Sequence, residues 1–128
     1  MRPSFPSKTY PNHLTLVTGL RPHRHGLVDN VMVDPLIPGV TFTLGDRATV
    51  KDPRWWNDAT PLWVTAERQG VISASVYWPG SETAIQGAQP TYWLTYDQSV
   101  AAEARVDQVL AWLDLPADKR PGFISLYF

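Results

Sequence analysis

The half of the chain from Thr60 to Phe128 alternates helix and strand signals, and that alternation limits the fold more than any other feature. Thr60 as cap, Pro61 at the first helical position and Gly70 as terminator bracket a predicted helix of roughly ten residues. Val71–Trp78 follows as a β-rich run stopped by Pro79-Gly80. After a polar loop, Ser99 precedes a second helix that places Val106, Val109, Leu110 and Leu113 on one apolar face. Pro116 ends it, and Phe123–Phe128 is a short continuous apolar run, the pattern of a strand covered on both faces. Helix, strand, helix, strand is the order of an α/β sheet with mostly parallel strands.

The first half is less regular. Met1–Lys8 reads as an extended lead, and a short helix is predicted from about Pro11 to Thr18, closed by Gly19. Thr9 and Tyr10 stand at its start, where free N–H groups and the helix dipole favour an anion such as phosphate. A threonine hydroxyl there is a helix cap or a nucleophile, and the cap is the commoner case. Arg21–Asp34 reads as loop with a short strand in Val28–Val33. Leu36–Asp58 is rich in turn residues, with Val40–Leu44 alternating like a strand.

Asp29, Asp34, Asp46, Asp52 and Asp58 fall in turn contexts, where aspartate satisfies local backbone. His23 and His25 flank Arg24 between Pro22 and Gly26, a turn rather than a metal pair, and His13 is a packing or supporting residue on the first helix. Trp55, Trp56, Trp63 and Trp112 read as core. A net charge of −1 argues against a nucleic-acid backbone as partner. The absence of cysteine removes disulfides and thiolate metal sites. No apolar run has the length of a membrane span.

Phe5-Pro-Ser-Lys-Thr-Tyr-Pro-Asn-His13, Thr18-Gly-Leu-Arg-Pro22, His25-Gly26 and Asn30 closely resemble the nucleotide pyrophosphatase/phosphodiesterase family of the alkaline phosphatase superfamily. The resemblance continues in order through Trp55-Trp56, Pro61–Thr65, Trp78–Ser81, Ser99-Val100, Arg120-Pro121 and Leu126–Phe128. It implies a partial alkaline-phosphatase-like α/β sheet that hydrolyses nucleotide phosphodiester or pyrophosphate bonds to nucleoside monophosphates. By resemblance Thr9 is the nucleophile, held by one of two zinc ions. Asn30 matches a donor to a phosphate oxygen, although spacing alone makes it a turn residue. Tyr10 and Tyr96 match the aromatic pair that sandwiches the base, and Leu44 and Trp78 match further pocket-lining positions. Lys8 either adds charge near the phosphates or is solvated.

The family's aspartate and histidine zinc ligands come from stretches that this sequence does not contain, which leaves Thr9 alone of the first metal shell. Residues 1–128 therefore read as a truncated part of a catalytic domain, ending on a strand where chemistry is expected, and inactive alone. The implied partner is a small nucleotide substrate, and family members usually act outside the cytoplasm. Two rivals stand beside this reading. One is a choline-head-group phosphodiesterase of the same superfamily; the other is a non-catalytic, aromatic-lined binding module.

Overall fold

A computed structural model describes residues 2–128; Met1, the first residue of the expected extended lead, lies outside the described residues. In chain order the elements are α1 (Thr9–Thr18), α2 (Pro22–His25), β1 (Val31–Val33), β2 (Thr41–Thr43) and α3 (Arg47–Val50). A 3-10 turn (Pro53–Trp55) is followed by α4 (Leu62–Arg68), β3 (Ser73–Val76), β4 (Tyr92–Leu94), α5 (Ala102–Leu113) and β5 (Phe123–Leu126). The expected α4, β3, α5 and β5 all form, but the stretch read as a polar loop before Ser99 contains a further strand, β4, because its Tyr92–Leu94 pairs with β3. All three strands are parallel. β3 lies at the centre of a three-stranded sheet, in the order β4-β3-β5. β1 and β2 form a separate antiparallel hairpin.

β3 reads Ser-Ala-Ser-Val and is buried throughout, so its polar side chains need partners. Ala74 and Val76 face α5, together with Ile124 and Leu126 of β5, over the ring of Trp112. Ser73 and Ser75 face the other side. Ser73 donates from N and Oγ to Glu67 of α4, and Ser125 Oγ lies 2.9 Å from Ser75 Oγ across the β3–β5 pair. Glu67 also accepts from Thr91 N and Oγ just before β4, so one carboxylate ties α4 to the starts of two strands. Burial works to raise the Glu67 pKa, but these hydrogen bonds outweigh it and hold the carboxyl below its ordinary value.

The larger core lies under α1, where Tyr10, Leu14 and Val17 pack with Leu27, Phe42, Trp55, Trp56, Trp63 and Ile85. The four tryptophans read as core are all buried, Trp112 on the α5 side of the sheet. Asp34, Asp46 and Asp52 do the local work expected of turn residues. Asp34 accepts from Leu36 N, Asp46 caps α3 through Ala48 N, and Asp52 caps the 3-10 turn through Arg54 N.

Three expectations fail in detail. α4 starts at Leu62 with Pro61 as its N-cap, and the Thr60 hydroxyl donates instead to Gln86 Oε1, 26 residues away. A partner brought in by the tertiary fold displaces the local cap. Among the described residues β5 pairs with β3 alone, so it is an edge strand here, and it is only partly buried. On α5 the buried residues are Arg105 and Trp112, while Val106, Leu110 and Leu113 are exposed.

Candidate active site

The carboxyl ends of all three parallel strands open into one cavity of about 360 Å³. Tyr77, Trp78, Pro79 and Gly80 enter it after β3, Tyr96 and Gln98 after β4, and Tyr127 after β5. Thr9 and Tyr10 reach it from the start of α1, and Leu44, Gly45, Arg47 and Val50 from the β2–α3 segment. This is where open α/β sheets place ligands, because strand ends there give way to loops whose side chains converge.

Thr9 is the first residue of α1, preceded by Lys8 as an N-cap whose side chain makes no capping bond. Among the described residues the Thr9 hydroxyl has no hydrogen-bond partner, so it does not cap the helix. That task falls to Asn30, whose Oδ1 accepts from Tyr10 N at 2.9 Å. The bond fixes the amide's orientation and leaves both Nδ2 hydrogens for another acceptor. Asn30 is itself held beside the helix by Asp29, whose Oδ1 accepts from Asn30 N and Val31 N. Asp29 also takes Lys8 Nζ at 2.7 Å in an exposed ion pair, and that bond first, with those from the backbone, lowers its pKa. Lys8 is therefore engaged with Asp29, and neither Lys8 nor Asn30 lines the cavity.

Five of the seven expected site residues, Thr9, Tyr10, Leu44, Trp78 and Tyr96, do line it. Tyr10 is 9% exposed and packs edge-on to Phe42 at 5.2 Å and tilted to Trp56 at 5.6 Å. Burial pushes its hydroxyl up to about 12, so it stays a neutral phenol. Tyr96 is 40% exposed and stands edge-on to Tyr77 at 5.5 Å. One wall aromatic is thus set rigidly in the core and the other is accessible.

His13 supports this floor from below. Its Nδ1 lies 2.6 Å from Thr9 O, and since a carbonyl only accepts, Nδ1 carries the proton. Its ring sits edge-on to both Trp78 and Tyr127, and Trp78 Nε1 donates to His13 O at 3.3 Å. Gly80 holds the β3 loop against the core: at φ +90 its place for a Cβ lies 2.7 Å from Trp56 Cζ3, so only glycine fits. Tyr77 takes a left-handed φ of 62, a backbone strain of about 1–3 kcal/mol for a bulky residue. The Arg105 guanidinium holds it, 5.0 Å over the ring.

Sequence reasoning missed Tyr77, Arg47, Glu82, Gln98 and Tyr127. Tyr77 sat beside a motif residue and Tyr127 within one, both at the carboxyl ends of the predicted strands Val71–Trp78 and Phe123–Phe128, which was a usable signal. Arg47 and Glu82 carried none, since they meet across 35 residues as an ion pair.

The implied zinc ions are tested by the donors present. Among the described residues no group of three or more His, Cys, Asp or Glu side chains could hold a metal ion. His25 is buried and committed to Thr15 Oγ1 and Leu27 N, and Asp29 to Lys8. The side chains of these residues do not make up a two-metal site.

The family described as type I phosphodiesterase / nucleotide pyrophosphatase matches residues 1–128. A venom phosphodiesterase of Crotalus durissus collilineatus is 46% identical over 99% of this chain, which spans 15% of that protein. Human ectonucleotide pyrophosphatase/phosphodiesterase family member 1 is 45% identical over 99% of this chain and 13% of its own length. The chain thus spans about a seventh of the curated relatives it matches. Among solved structures, murine ectonucleotide pyrophosphatase/phosphodiesterase 5 superposes with a TM-score of 0.90 at 39% identity, over 98% of this chain and 33% of that one. The same murine protein, as an inactive threonine-to-alanine variant in complex with AMP, gives 0.90 at 38%, again over 98% of this chain and 33% of that one. The chain belongs to the type I phosphodiesterase / nucleotide pyrophosphatase family.

Proposed function

We propose that these residues form the nucleotide-binding side and the nucleophile of a phosphodiesterase that releases nucleoside monophosphates, and that they are one part of a larger catalytic domain. The observation that carries this reading is the single cavity at the carboxyl ends of β3, β4 and β5, with an unpartnered threonine hydroxyl at its edge. Tyr10 and Tyr96 supply π-faces for a base of any kind, each stacking contact worth about 1–3 kcal/mol. Leu44 and Trp78 add apolar wall. Asn30, with both Nδ2 hydrogens unspent, donates to a phosphoryl oxygen while its Oδ1 holds the helix start. Thr9 Oγ, its proton lost to water, attacks phosphorus as the bond to the departing group breaks, and water then cleaves the phosphothreonine to release the nucleoside monophosphate. The free N–H groups and dipole of α1 favour charge on the phosphoryl oxygens.

The family's metal dependence enters as two zinc ions. They activate the nucleophile and neutralise phosphate charge when bound, and of this chain only the Thr9 hydroxyl serves them. The remaining donors belong to segments other than these 128 residues, and the 128-residue chain alone has no turnover. The murine relative whose inactive threonine-to-alanine form holds AMP supports a nucleotide ligand. The names of the venom and ectonucleotide relatives support a place of action outside the cytoplasm. No helix among the described residues is long and apolar enough to cross a membrane.

The test uses the longer enzyme that carries this chain. Thr9→Ala removes turnover of p-nitrophenyl thymidine monophosphate without altering the fold, and Thr9→Ser keeps part of it. Tyr96→Ala costs about 1–3 kcal/mol in kcat/KM on nucleotides. It costs far less on bis-p-nitrophenyl phosphate. A near-normal kcat in Thr9→Ala would reject the nucleophile, and equal losses on both substrates in Tyr96→Ala would reject the base contact.

A further inference from the structure

We infer that Glu82 is a positioning residue that ties together two segments lining the nucleotide cavity and so confers selectivity for ligands that carry a base. Its side chain is 11% exposed, and its two oxygens bind two different segments that line the cavity. Oε1 accepts from the backbone N–H of Tyr96 at 3.1 Å. Oε2 accepts from Arg47 Nη2 and lies 3.7 Å from Lys51 Nζ. Tyr96 follows β4 in a segment without regular structure, and Arg47 opens α3, a helix of four residues. So short a helix has little stability of its own, and an irregular loop has no ladder to hold it. The carboxylate supplies both with a common anchor.

Glu82, Arg47 and Tyr96 all line the cavity. A carboxylate facing an anionic ligand repels it unless its charge is matched. Here two cations meet one carboxylate, which leaves the rim with a net positive charge suited to a phosphate. Glu82 thus contributes to base binding through Tyr96 rather than by touching the ligand, while Arg47 and Lys51 match its charge. The two oxygens can be separated by substitution. Glu82→Gln keeps an acceptor for Tyr96 N–H and loses the charge, whereas Glu82→Ala loses both.

This inference rests on the nucleotide reading above. The test is calorimetric titration of the longer enzyme that carries this chain with AMP and with ribose 5-phosphate, which has no base. Glu82→Ala weakens AMP binding ~10-fold through the misplaced Tyr96 ring and changes ribose 5-phosphate by less than ~2-fold. Glu82→Gln stays within ~3-fold of the parent for AMP, because the Tyr96 N–H keeps its acceptor. Thermal melting of each variant controls for folding. Where the alanine variant has no melting transition, Glu82→Asp carries the test. It keeps the charge, shortens the reach by one methylene, and shows the same AMP-selective loss. Equal losses on both ligands, or unchanged AMP binding in the alanine or aspartate variant, would overturn the role of Glu82 alone. A parent enzyme that binds ribose 5-phosphate but gains nothing from the base, or binds neither ligand, would overturn the nucleotide reading and this inference with it.

Discussion

Helices α1 and α5 differ in the regularity of their sequences and, in the opposite sense, in how far they are covered. α1 begins with Thr-Tyr-Pro-Asn, has no tidy apolar stripe, and still buries Tyr10, Pro11, Leu14 and Val17, with Leu14 fully inaccessible. α5 carries the cleaner period, yet Val106, Leu110 and Leu113 are exposed. Its inner face is instead Arg105, Val109 and Trp112, turned from the expected stripe by about one residue, or ~100°. Trp112 stacks on Tyr92 at 5.9 Å and 24°, and Arg105 reaches Val100 O, Tyr127 O and the Tyr77 ring. Large planar groups with specific partners set the helix's rotation over the smaller aliphatics. Periodicity says which residues share a face, not which face the fold uses.

The largest effects lie in the α1 core. Leu14→Ala leaves a cavity beneath α1 and costs about 2–5 kcal/mol in denaturant unfolding. Trp56→Ala costs about 3–5 kcal/mol and removes the surface against which Gly80 rests. A loss below ~1 kcal/mol at Leu14 would mean that the α1 core is not the stabilising region.

An intermediate effect separates the two halves by pH. Burial lowers the pKa of His25, at the end of α2 against α1, so it is held neutral. The unfolded chain binds that proton first, so this contribution is complete above about pH 6.5 and falls as pH drops toward the folded value. Glu67, which ties α4 to β3 and β4, also has a depressed pKa. Its contribution is complete above its ordinary value near 4.5 and is lost as pH falls through the folded value. Melting temperature measured against pH therefore declines in two windows. His25→Phe flattens the upper one, and Glu67→Gln flattens the lower one. A single acid transition unaffected by His25→Phe would break the distinction.

The smallest effect belongs to the outer face of α5. Leu110→Ala, at 52% exposure, changes unfolding free energy of the 128-residue chain by less than ~0.5 kcal/mol. Trp112→Phe on the same helix costs more. The reverse order would restore the face expected from the period.

Much of the fold was legible in the sequence because its signals are local. Proline, glycine and aspartate act within a few residues, so the turns of Asp34, Asp46 and Asp52 and the stop at Gly19 were readable. Alternation of helix and strand sufficed for a parallel α/β sheet, since parallel strands need crossovers. The motif around Thr9 was enough to point at the helix start and, by resemblance, at the family. What the tertiary structure alone decided are the long-range meetings. Asn30 rather than Thr9 caps α1, Gln86 takes the hydroxyl of Thr60, and Glu82 joins Arg47 to Tyr96. Each pairs groups 14 to 35 residues apart. A hydrogen bond needs its partners within about 3 Å, and only the packed chain specifies that separation.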